Sequence, residues 1–153
     1  MARDSQRGRL YAWEREALGL HRGRRVSLAE SQELADRVCR AYKADPVRIG
    51  DGRGHSNAVY YQGSRWPVGG EIVVKPPTIA LPRRMRRLRV VLHELAHHLT
   101  PKEYAAHGPE FLWVLMTLFV RIEGRTREEM RASAREAGLK VRRPHKMGGK
   151  AVT

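Results

Sequence analysis

Cysteine is nearly absent from this chain: Cys39 stands alone among 153 residues. A single thiol excludes an internal disulfide and any zinc site built on cysteines. It fits a reducing compartment, the cytoplasm, and is expected to be a small buried core residue. Long apolar runs are missing as well. The longest nearly unbroken one, FLWVLMTLFV at 111–120, is too short to cross a bilayer, which takes about 20 residues. The opening MARDSQRGRL is polar with no apolar stretch behind it, so no secretory signal is expected. No internal repeat is visible. Acid is scarce: 16 Asp and Glu face 30 Lys and Arg, a net charge of +14. Such a surplus attracts polyanions, and nucleic acid is one partner it makes plausible.

The length suits one domain with a modest core. Residues 1–26 read as an N-terminal segment, with a weak helix ending at Gly19 and a basic loop, HRGRR. Residues 27–137 read as the folded domain, and 138–153, with five Lys and Arg and no acid, as a flexible basic tail that could touch DNA. Within the domain, SLAE at 27–30 predicts a capped helix that closes before Pro46. VRI, NAVYYQ and GEIVVKP are rich in β-branched and aromatic residues; they predict a small, largely antiparallel sheet. Met85, Leu88, Leu92, Leu95 and Leu99 repeat at helical spacing, predicting a helix from about Arg84 to Leu99. A buried helix follows from Pro109 to about Glu123, with Gly124 as its C-cap. A second capping box, TREE, opens a last helix at Thr126.

One motif carries chemistry. HELAH at 93–97 has the form H-E-x-x-H, which chance would place in a chain of this composition about twice in a hundred. On a helix His93 and His97 lie one turn apart, and both imidazoles can reach one ion. Glu94 then stands beside that ion, able to take a proton from a bound water. His98 lies about 100° round the helix; it is expected to be a C-terminal cation favoured by the helix dipole, outside the site. A catalytic zinc takes three protein ligands and an open position. His107, beyond a loop broken by Pro101, is the leading candidate for the third, with Glu103, Glu110 and Glu123 as rivals. Arg86 and Arg89 precede His93 by seven and four residues; on a continuous helix they would share the metal-facing stripe and could orient a polyanion such as DNA. Tyr104 could stabilise an oxyanion, although loop packing explains it as well.

The pair VVLHELAHHL and HGPEF resembles the SprT-like zincin metallopeptidases, which carry H-E-x-x-H on one helix and H-G-x-x-F or H-G-x-x-W at the start of the next. The opening RDSQRGRLYAWE resembles small metallohydrolases of actinobacteria and their phages. The resemblance covers about residues 27–123, and its diagnostic part is about twenty residues. It implies a zincin-like α+β fold, with a small antiparallel-rich sheet packed on the H-E-x-x-H helix and further helices. It also implies one zinc ion on His93, His97 and His107, and Glu94 as general base. The four-cysteine ribbon that some DNA-directed members carry is missing. The expected activity is therefore a zinc-dependent hydrolase, a metallopeptidase acting on a peptide or protein strand laid along the GEIVVKP edge. The alternatives are a basic nucleic-acid-binding protein with a structural or vestigial metal site, and a metal-dependent hydrolase of a non-peptide amide.

Overall fold

The computed structural model describes residues 5–152. It is an α+β structure, and its element order follows from local signals. The first helix, α1 (Arg7–Trp13), runs directly into a π-helical turn over Glu14–Leu18. Gly19, at φ +64°, then ends it in the left-handed region that glycine adopts without strain. Helix α2 (Leu28–Ala41) begins on a complete capping box: Glu30 N–H donates to Ser27 Oγ at 3.0 Å, and Ser27 N–H donates to Glu30 Oε1 at 3.0 Å. Its Leu34, Ala35, Val38 and Cys39 form a buried stripe.

Five short strands follow: β1 (Arg48–Gly50), β2 (Val59–Tyr61), β3 (Ser64–Val68), β4 (Glu71–Lys75) and β5 (Thr78–Ala80). They do not form one sheet. β5 is the centre of a three-stranded sheet, parallel to β1 and antiparallel to β2. β3 and β4 pair only with each other, in a hairpin exposed along its whole length. GEIVVKP is thus a strand, as expected, but not an edge of the sheet that packs on the core. The central strand β5 was hidden in the sequence, because its three residues lie between Pro77 and Pro82 and prolines argue against a strand.

A single 3₁₀ turn (Arg83–Met85) precedes helix α3 (Leu88–Leu99), so the helix begins four residues later than its periodicity predicts. Arg86, at ψ +71°, breaks the path. A β-bridge between Arg25 and Arg87 pulls this stretch out of helix: Val26 N–H donates to Arg86 O, and Leu88 N–H to Arg24 O. Helix α4 (Pro109–Glu123) opens on Pro109 and closes at Gly124, φ +67°. Phe111, Leu112, Val114, Leu115, Met116, Leu118 and Phe119 are all buried, so α4 is the central rod against which α3 packs. Each fully buried Leu or Phe there contributes roughly 1.5–3 kcal/mol of transfer free energy. Helix α5 (Arg127–Glu136) follows, but the expected TREE box is not formed: the Thr126 side chain makes no capping bond.

Two expectations about the chain ends are corrected. Leu10, Trp13 and Leu18 are buried in the same core as α3 and α4, so residues 6–26 are part of the folded body. The basic residues after 138 are also packed against it. Gln6 and Lys140 exchange two hydrogen bonds, and Arg142 N–H donates to Pro109 O. A terminal hairpin of β6 (Lys146–Met147) and β7 (Lys150–Ala151) buries Met147. In its turn Gly148 N–H donates to Leu99 O and Gly149 N–H to Tyr42 O. A Cβ on Gly149 would lie 2.2 Å from Lys43 O, so only glycine allows this approach. Among the described residues no helix is long and apolar enough to cross a membrane.

Candidate metal centre

Helix α3 presents His93 and His97 one turn apart, and the loop before α4 returns His107 over them. One nitrogen from each of the three histidines lies within 4.8 Å of the others. A tetrahedral zinc holds its nitrogens about 3.4 Å apart, a spacing that small side-chain rotations would reach. Phe111, on the first turn of α4, lies under all three rings, with centroid distances of 5.2, 4.5 and 5.3 Å to His93, His97 and His107. This apolar floor shuts water out beneath the histidines. Above them opens a cleft of about 900 Å³ that Glu94 also lines.

The carboxylate rivals lie elsewhere. Glu103 pairs with His145 at 3.3 Å, Glu110 with Arg142 at 3.2 Å and Glu123 with Arg89 at 2.9 Å. Arg86 and Arg89 do not share a metal-facing stripe. Arg86 lies ahead of the helix and donates to Leu81 O and Asp51 O. Arg89 donates to Glu123 and to Leu18 O and Gly19 O. Both guanidinium groups tie the fold together. Tyr104 hydrogen-bonds His145 at 2.7 Å while lining the cleft.

His98 lies outside the cluster, as its angle round the helix requires, but not as a cation. Its Nε2–H donates to Asp45 O at 2.6 Å, which leaves Nδ1 to accept from the Tyr60 hydroxyl at 2.9 Å. Burial holds its pKa below the ordinary value against the pull of Asp45, so the ring is neutral.

Three further residues complete the site. Glu14, in the π-helical turn, is fully buried, and its Oε2 lies 2.5 Å from His93 Nδ1. Its other oxygen, Oε1, makes no hydrogen bond. Burial alone would lower the His93 pKa; the Glu14 charge and hydrogen bond overcome it and hold the pKa above the ordinary value. The bond also fixes the proton on Nδ1, so the Nε2 lone pair is turned towards the other histidines. Tyr11, one turn before Glu14, places its hydroxyl 3.1 Å from His107 Nε2, and Arg7 Nε donates to that hydroxyl at 3.3 Å. Tyr60, on β2, stacks on His97 at 6.3 Å and 10°. Burial pushes its phenol up to about 12, so it stays protonated. Glu14 had one signal in the sequence: it is an acid on the Leu10, Trp13, Leu18 stripe of an amphipathic segment. Tyr11 and Tyr60 had none, since an aromatic residue near a core is the ordinary case.

The electrostatics suit a cation. His97 is held well below its ordinary pKa by burial first and by His93 and His107 next, so three imidazoles converge where added protons repel one another. Burial raises the Glu94 carboxyl and the Glu14 charge adds to this, while His93 and the backbone of Tyr60 oppose it. Three neutral nitrogen donors, a buried carboxylate behind one of them and a second carboxylate facing the cleft form a donor set that fits zinc. Comparison with protein-family models, with curated proteins and with solved structures finds no match to this chain.

Proposed function

We propose that this protein is a zinc-dependent hydrolase of the SprT-like, zincin type, cleaving peptide bonds. The observation that carries the reading is the convergence of His93, His97 and His107 in the cleft that Glu94 lines. Zinc bound there would supply a water whose pKa falls from 15.7 to about 7. Glu94 takes the proton from the attacking water and returns it to the leaving amine; its raised affinity for a proton suits that shuttle. Tyr11, with its hydroxyl beside His107, can donate to the oxygen that becomes anionic as the carbonyl is attacked. The substrate backbone lies along β2 rather than β4. β2 is an edge strand of the three-stranded sheet, and Ala58, Val59 and Tyr60 line the cleft. An extended peptide can add to that edge through main-chain hydrogen bonds.

The test separates base from ligand. Glu94→Gln should keep one zinc per chain and lose hydrolysis of a casein or mixed-peptide substrate by about a hundredfold or more. His107→Ala should lose the zinc itself. Wild-type protein purified without zinc and unable to take it up, or Glu94→Gln with full activity, would refute the reading.

A further inference from the structure

The walls of the cleft differ in charge. The β2 wall, with Asn57, Ala58, Val59, Tyr60 and Gln62, is uncharged apart from any titration of Tyr60. The opposite side carries Arg7 and Arg15, and Lys102 and His21 add to the rim. All four are exposed. Glu94 is the one carboxylate among the described lining residues. Arg7, Tyr11 and Arg15 recur every four residues, so they follow one face of the first helix and its π-helical turn. Tyr11, at the middle of that row, reaches His107. The positive field extends into the site: the Arg7 charge acts on His97 and that of Lys102 on His98.

We infer that the cleft selects acidic polypeptide, with carboxylate side chains on both sides of the bond to be cleaved. The inference rests on the peptide-hydrolase reading and adds the substrate class. A peptide added to β2 turns alternate side chains away from the sheet, towards the basic wall. Arg7 and Arg15 are eight residues apart, about 12 Å along the helix. Four residues of extended chain span about 13 Å, so two acidic residues flanking the central position can meet the two ends of the row. A polypeptide fits better than a nucleic acid for two reasons. The open edge of β2 offers hydrogen bonds to a peptide backbone, and Glu94 at the cleft floor repels phosphate.

The experiment uses the zinc-loaded Glu94→Gln protein and three fluorescent peptides of one sequence, with Glu, Gln or Lys at the two flanking positions. Fluorescence anisotropy at low salt should give about tenfold tighter binding for the Glu peptide than for the Gln peptide, and weakest binding for the Lys peptide. Adding Arg15→Glu and Lys102→Glu, both at exposed positions, should abolish that preference while zinc content stays unchanged. An unchanged preference in this variant, or none to begin with while the wild type cleaves the Gln peptide, would overturn the inference and leave the hydrolase reading standing. A single-stranded oligonucleotide that displaces the Glu peptide, and binds more tightly itself, would overturn the choice of polypeptide. If the wild type holds no zinc and cleaves no peptide, the hydrolase reading fails first, and the inference with it.

Discussion

Glu14 is the residue on which the metal centre leans most. A carboxylate with no exposure costs several kcal/mol to desolvate unless it is paired, and its single partner is His93 Nδ1. The arrangement repeats a common device at zinc sites, in which the outer nitrogen of a ligating histidine is held by a carboxylate. Glu14→Gln keeps the shape and can still accept from Nδ1–H, but removes the charge that makes the imidazole a stronger donor. Zinc affinity should fall about 10–100-fold, read by competition with a chromogenic chelator, with the fold retained by circular dichroism. Unchanged affinity would show that His93 needs no such support. At this scale the sequence is uneven. His93, His97 and Glu94 are legible because ligands one turn apart are a local property. His107 is legible because only a turn separates it from them. Tyr11 and Glu14 reach the site across 96 and 79 residues, and no local pattern records a contact at that range.

Helices and strands show where local signals are overruled. Two capping boxes are written in the sequence, and only the one at Ser27 is made. Ser27→Ala should therefore destabilise the protein by about 1 kcal/mol, whereas Thr126→Ala should change the urea midpoint little. Equal losses would contradict the capping geometry. The late start of α3 has the same kind of cause. Residues 86 and 87 have helical periodicity, yet the bridge to Arg25 supplies hydrogen bonds that a longer helix would forfeit. The β4 segment illustrates a different limit. Its strand propensity is real, but propensity describes a fit to a pleated surface and not the place of that surface in the fold. Its Ile72 and Val74 are 59% exposed. The edge that faces the cleft belongs to β2 instead.

Across the whole molecule, His98 joins three distant pieces: the end of α3, the loop at Asp45 and strand β2. Its pKa is lower in the folded protein than its ordinary value of 6.5. The unfolded chain therefore binds more protons as the pH falls through about 6.5, and the folded state loses stability below that point. His97 acts in the same direction. Replacing His98 with Gln should flatten the fall in the urea midpoint of metal-free protein between about pH 7 and about pH 5. A slope identical to wild type would show that His98 titrates normally in the fold. The α+β class and most of the helical core were legible, because the apolar periodicity of α2, α3 and α4 is strong. The packing of residues 138–152 was not. Its determinants are two glycines in a turn and main-chain hydrogen bonds to Leu99 and Tyr42, which composition reads as a loose basic end.

The π-helical turn at Glu14–Leu18 also bears on the order of assembly. The early part of the chain leaves the ribosome with Glu14 and Tyr11 in place, but their partners emerge about eighty to a hundred residues later. Until α4 follows, the first helix has neither its core nor its histidines. Closure of so long a loop is slow compared with local helix formation. An ion settling on the finished cluster would latch that closure, converting binding free energy into folding free energy for most of the polypeptide.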